Sequence, residues 1–193
     1  MRSALEDKLA SCMLEGVRID SITFAGDGEP TLNPEFPKII DDTLALRDIY
    51  YPEARVSVLS NATRVCDPKI REALMKVDNP ILKIDAPTNE LIRKINNPAP
   101  GFDLARVMEG IKAFEGNFVL QTMFLRSADF DSSDPQSLDA WCAIVRELRP
   151  REIMVYTLDR PAPQEGLGKF TEAEMRALVQ PLIDEGFKIQ IKA

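Results

Sequence analysis

Short β-prone runs alternate with helical stretches along the whole of this 193-residue chain. That alternation constrains the fold more than any other feature, because strands separated by helices pair most readily in parallel, with the helices as crossovers. The strand runs are Ser21–Ala25, Arg55–Ser60, Pro80–Asp85, Asn117–Leu125, Ile153–Leu158 and Phe187–Lys192. Their β-branched, aromatic and mostly continuous apolar character predicts strands buried on both faces. The last run alternates more, which predicts an edge position.

Helix signals fill the gaps. Asn33-Pro34, Asp67-Pro68 and Asp134-Pro135 each put a capping side chain before a proline at the first helical position. Thr171 with Glu174 forms a capping box, and Glu185-Gly186 closes that helix with a glycine. Further helices are predicted at Thr88–Ile95 and Asp103–Glu115. The chain also opens on a helix, Ser3–Glu15, with no strand before it. The pattern therefore predicts an α/β fold with a parallel sheet, lacking its first strand–helix half. No linker or low-complexity tract interrupts it, so residues 1–193 read as one domain.

Composition limits the chemistry. Hydrophobic residues make up 45% and charged residues 28%, as in an ordinary globular chain. A chain of this size buries about 70% of its unfolded surface. There is no histidine. Ser-His-Asp and Cys-His catalysis, histidine-ligated zinc and a histidine general base are all excluded. A net charge of −7 argues against broad binding of nucleic acid. Cys12, Cys66 and Cys142 stand far apart and form no short-range metal motif, which points to a reducing cytoplasmic setting. No apolar run approaches the roughly 20 residues of a membrane span.

In parallel α/β folds ligands bind beyond the carboxyl ends of the strands. The segments there are Gly26-Asp27-Gly28-Glu29-Pro30-Thr31, Ser60-Asn61-Ala62-Thr63, Lys83-Ile84-Asp85, Gln121-Thr122 and Tyr156-Thr157-Leu158-Asp159-Arg160. Loops are polar in any protein, so most of these segments are equally ordinary turns. The first is more specific. Two glycines flank an acid, allowing close backbone approach to a ligand, and Pro30 stiffens the exit. Lys83 and Asp85 share one strand face, either as an internal ion pair or as ligand contacts. Tyr156 reads as a wall residue, Trp141 and most methionines as packing, and Arg146, Arg149 and Arg151 as a solvated helix end.

These segments carry a family resemblance. Ile22 to Phe36, with Asp27-Gly28-Glu29-Pro30 inside it, resembles the segment after the second strand of radical S-adenosylmethionine (radical SAM) enzymes. That family has a Gly-Gly-Glu motif there, and Asp27 replaces its first glycine. Val58–Thr63, Ile81–Asp85, Val119–Phe124 and Val155–Pro161 resemble the next four strand ends in family order. The likeness is nearest to the iron–sulfur oxidoreductase and wyosine-type branch. It implies that Gly28 and Glu29 meet the amino group of S-adenosylmethionine (SAM), with Asp27 beside them in the cofactor-binding motif. It further implies that Ser60, Asn61 and Asp85 lie near its ribose or carboxylate, and that Thr157 and Leu158 border the adenine.

The resemblance also implies a [4Fe–4S] cluster in the complete protein and an electron donor such as flavodoxin or ferredoxin. The substrate would be a small molecule, a tRNA base or a glycyl-radical enzyme. The family's Cys-x₃-Cys-x₂-Cys cluster motif is absent from this chain. The resemblance thus implies a truncated radical SAM domain, a parallel partial TIM-like (β/α) barrel that lacks its first strand and cluster loop, inactive alone. Two alternatives are a metal-free (β/α) lyase or aldolase using Lys83 as a Schiff-base amine, and a non-catalytic scaffold.

Overall fold

The computed structural model describes residues 1–26, 28–159 and 166–193. Parallel strands alternate with helices, and the six strands follow chain order in the sheet. The fold is α/β, as the alternation predicts. The chain divides into two compact units, Met1–Ile81 and Leu82–Ala193.

The first unit holds α1 (Arg2–Leu14), β1 (Ser21–Phe24), a 3₁₀ turn (Pro30–Leu32), α2 (Phe36–Tyr50), β2 (Arg55–Ser60) and α3 (Pro68–Lys76). It ends within β3 (Asn79–Lys83). β1 and β2 are parallel, with Ser21 opposite Arg55 and Phe24 opposite Val58. α1 packs on α2, and α2 on α3. Ile40, Leu46, Val56, Val58 and Leu74 are fully buried among them. Asp78 ties the layers together: one carboxylate oxygen accepts from Val56 N at 2.8 Å and from Arg47 Nη1 at 3.0 Å.

The second unit holds α4 (Asn89–Asn96), α5 (Leu104–Lys112), β4 (Val119–Met123), α6 (Pro135–Leu148), β5 (Glu152–Tyr156), α7 (Glu172–Asp184) and β6 (Ile189–Lys192). β5 pairs in parallel with β4 and with β6, so that Tyr156 lies opposite both Met123 and Lys192. Its core contains Leu120, Ile153, Val155, Met175 and Leu182. The Phe124 ring meets Trp141 edge-on at 5.3 Å and Phe170 at 6.2 Å.

The predicted caps at Asp67 and Asp134 and the Thr171 capping box all form, and Thr88 and Asp103 cap the helices predicted around them. One helix start is corrected. Asn33 accepts from Glu35 N at 2.9 Å in a turn, and α2 begins at Phe36 with Pro37 in its first turn. Asn33 instead closes the 3₁₀ turn.

Burial on both strand faces is also corrected. In β3 and β5 buried and half-buried residues alternate strictly. Continuous apolar runs hid this, because Ile81 and Met154 are apolar yet lie on the more open face. β6 lies at the sheet edge, as predicted. Among the described residues no helix is long and apolar enough to cross a membrane.

Candidate functional site

The segment after β1 is described at Gly26 and from Gly28 onward. Gly26 has φ +152°, which a side chain tolerates poorly. A Cβ on Gly26 or Gly28 would meet no atom within 4 Å, so both positions border open space. That space is a cleft of ≈ 340 Å³ lined by Phe24, Gly26, Gly28, Glu29, Asn33 and Phe36 among others. Asp27, which the sequence places in this loop, lies outside the described residues.

Glu29 holds the loop in place. One carboxylate oxygen accepts from Thr31 N at 3.1 Å, Thr31 Oγ1 at 2.5 Å and Ser60 Oγ at 2.8 Å. The other accepts from Asn61 N at 2.6 Å. Glu29, Ser60 and Asn61, inferred separately from sequence, are thus brought together. The arrangement gives the Glu29 carboxylate a framework role. Ser60 is 5% exposed, and its hydroxyl also accepts from Ala62 N at 3.0 Å. Asn61 is exposed, with its amide oxygen bound by Thr63 N and Thr63 Oγ1. Ala62 sits in the left-handed region at φ +60°, a strained turn for a residue with a side chain. Thr31, 2% exposed, is a member of this network that the sequence placed in the segment without a role of its own. Its position two residues after an acid is the only signal for it.

Asp85 lies just beyond β3 in the second unit. One of its oxygens accepts from Met123 N at 2.9 Å. The other accepts from Asn96 Nδ2 at 2.6 Å and pairs with Lys83 Nζ at 3.0 Å. The Asp85 side chain is 1% exposed and that of Lys83 26%. Burial pulls the Lys83 ammonium down, but Asp85 and Tyr156 outweigh it and hold it above the ordinary lysine range. The Tyr156 phenol is pushed up by burial, with Lys83 opposing. Of the two readings of Lys83 and Asp85, the ion pair is the one that forms. A Schiff-base lysine needs its ammonium held low, so this geometry weighs against the lyase reading. Asn96, one residue beyond the helix predicted to end at Ile95, is the partner that spacing did not disclose.

Thr157 is 3% exposed. Its hydroxyl donates to Phe124 O at 3.0 Å and accepts from Phe170 N at 3.1 Å. Its side chain therefore joins the segments after β4 and β5. Leu158 beside it is half-exposed. Arg160 and Pro161, the end of the fifth resembling segment, lie outside the described residues.

Cys12 and Cys142 are buried, Cys66 is half-buried, and all three are free thiols. Among the described residues no group of three His, Cys, Asp or Glu side chains could hold a metal ion. The residues present therefore do not fit a [4Fe–4S] cluster, which needs converging thiolates.

No family model matches the chain. It is 27% identical over 176 residues to the UPF0026 protein of Methanocaldococcus jannaschii, covering 89% of this chain and 52% of that protein. It is 29% identical over 161 residues to the UPF0026 protein of Synechocystis sp., covering 79% and 57%. A protein of Brachyspira hyodysenteriae named GTPase Obg is 27% identical over 172 residues, 87% of this chain and 24% of that protein. The chain thus spans about half the length of these UPF0026 relatives.

Among solved structures, a domain of pyruvate-formate lyase-activating enzyme from Bacteroides vulgatus matches with TM-score 0.65 and 16% identity, covering 89% of this chain and 98% of that one. Streptococcus suis SuiB bound to S-adenosylmethionine matches with TM-score 0.70 and 15% identity, covering 100% and 43%. A radical SAM methyltransferase from Sphaerobacter thermophilus matches with TM-score 0.70 and 13% identity, covering 99% and 56%. At such low identity the likeness establishes a shared fold.

Proposed function

We propose that this chain is the SAM-holding part of a radical SAM protein of the iron–sulfur oxidoreductase and wyosine-type branch. The observation that carries the proposal is Glu29, tied to Ser60 and Asn61 beside an open cleft at the carboxyl end of β1. In the first unit, backbone groups at Gly26 and Gly28 would meet the amino acid end of the ligand, with Asn61 beside it. Glu29 and Ser60 position that loop. In the second unit Thr157 and Leu158 would offer backbone contacts to the adenine. Asp85 would act through the groups it orients near the ribose or carboxylate. Bound SAM supplies a sulfonium whose reductive cleavage starts radical chemistry in the family.

The described residues offer no cluster ligands, so reductive cleavage is assigned to the complete protein and this chain alone is inactive. The electron donor, and a substrate that is a small molecule, a tRNA base or a glycyl-radical enzyme, belong to that complete protein. The likeness to SuiB bound to SAM and to a radical SAM methyltransferase supports this reading.

The test is calorimetric titration of the chain with S-adenosylhomocysteine, a stable stand-in for SAM. Saturable binding is expected, together with its loss in Gly28→Val, whose side chain enters open space and leaves the fold intact. No binding to the parent chain, or full binding to Gly28→Val, would sink the proposal.

A further inference from the structure

The open face of the second unit's sheet carries a set of side chains that the SAM reading does not use. Side chains at matched parallel positions point to the same side. Gln121 is matched with Met154 and Met154 with Gln190; Met123 is matched with Tyr156 and Tyr156 with Lys192. All six therefore share one face. Gln121, Met123, Met154 and Tyr156 are half-buried, while Gln190 and Lys192 are exposed. Lys83 reaches the same face, with Nζ 5.9 Å from the Tyr156 ring centre.

The face has three kinds of group. Two thioethers and a phenol form an apolar, polarisable floor, suited to a flat ligand. The Gln121 amide has no partner among the described residues, and Gln190 is taken up by Glu152, which shares this face at the far end of β5, four residues before Tyr156. The charges are uneven. Lys83 is neutralised by Asp85, whereas Lys192 forms no ion pair among the described residues. A chain of net charge −7 thus presents, beside an aromatic floor, a cation with no ion-pair partner among the described residues. A polyanion such as RNA would meet the chain's overall negative charge, but a small anion would feel mainly the local cation.

We propose that this face binds the substrate, and that the substrate is a small organic anion with a flat aromatic or heteroaromatic body. Its carboxylate or phosphate meets Lys192, its ring lies over Met123, Met154 and Tyr156, and Gln121 hydrogen-bonds a ring substituent. This rests on the proposed function only in calling the ligand a substrate; the binding itself does not.

The test titrates the chain with fluorescent 2-aminobenzoate and with its neutral isostere 2-aminobenzamide. The benzoate is expected to bind, with the benzamide at least about tenfold weaker, as for loss of one charge-assisted hydrogen bond. Lys192→Met should cost the benzoate about tenfold and leave benzamide affinity unchanged. Gln121→Leu should weaken both, and Arg176→Met, on the exposed side of α7, neither. Equal affinity for both probes, insensitivity to Lys192→Met, or no binding of either would overturn the proposal. So would Lys192-dependent binding of a short RNA oligonucleotide without binding of 2-aminobenzoate.

S-adenosylhomocysteine titration of the same sample separates the two readings. Nucleoside binding without benzoate binding removes this inference alone. The reverse removes the SAM reading and leaves an anion-binding face.

Discussion

Replacing Glu29 by Gln changes few atoms and tests whether its carboxylate is framework or ligand contact. The carboxylate accepts from Thr31 N, Thr31 Oγ1 and Ser60 Oγ on one oxygen and from Asn61 N on the other. An amide keeps one acceptor oxygen. If that oxygen faces Thr31 and Ser60, the new NH₂ faces the Asn61 N–H, donor against donor. If the amide is flipped, the hydroxyls can turn to accept, but Thr31 N cannot. One backbone N–H loses its acceptor in either orientation. Thr31 is 2% exposed and Ser60 5%, so water offers little compensation on that side. An unsatisfied donor costs ~1–3 kcal/mol, and the surviving bonds lose their charge assistance. Asn61 is exposed, which favours the lower half of the range.

The sum is about 2–3 kcal/mol. A chain of this size loses roughly 2–4 °C per kcal/mol, so Tm should fall by about 5–10 °C. Ser60→Ala should also destabilise, because Ala62 N then loses its acceptor. The double variant should fall short of additivity by about 1 kcal/mol, since the two residues share a bond. Urea denaturation and thermal melts of the four proteins measure this. A Glu29→Gln melt within about 1 °C of the parent, or strict additivity, would refute the framework role and return Glu29 to direct ligand contact.

Other expected outcomes follow from the same geometry. Asp85→Ala leaves a largely buried Lys83 ammonium unpaired and frees Asn96 and Met123 N, so it should cost about 3 kcal/mol by urea denaturation; a loss under about 1 kcal/mol contradicts this. Lys83 is raised above 10.5 in the folded chain, so the stability that separates the parent from Lys83→Met should be full below pH 10.5 and shrink above it. A difference that grows with alkalinity has the wrong sign. Glu174 accepts from Thr171 and Arg126 and is held down from 4.5 to about 2. Its advantage over Glu174→Gln should be complete above pH 4.5 and vanish as pH falls through about 2, as urea midpoints across that range would show. Gly116 has φ +82°, and a Cβ there would lie 2.5 Å from Arg149 O. Gly116→Ala should therefore destabilise by at least about 2 kcal/mol, and an unchanged melt would disprove the close approach.

Much of the fold was legible in the chain because its signals are local. A capping residue needs only the next three backbone N–H groups, and the caps at Asp67, Asp134 and Thr171 formed where proline or an acid followed at the right offset. Asn33-Pro34 misled because the same pair also suits a turn; Pro30–Leu32 had already used the register, and α2 waited for Phe36. At the strand ends the sequence pointed to the correct segments but not to the duties within them. Glu29 read as a ligand contact, and only the fold brought Ser60 and Asn61 against both of its oxygens.

The alternation of strand and helix determined, from sequence alone, an α/β chain with its polar segments at the strand ends, because backbone pairing and hydrophobic period act over short stretches. Which polar groups are occupied was decided by tertiary structure. Asp85 meets Lys83 two residues away, but it also meets Asn96 and Met123 N, and those contacts join elements far apart in sequence. Hydrogen bonds and ion pairs are short-ranged. A residue's chemistry is therefore set by neighbours that only the packed chain supplies.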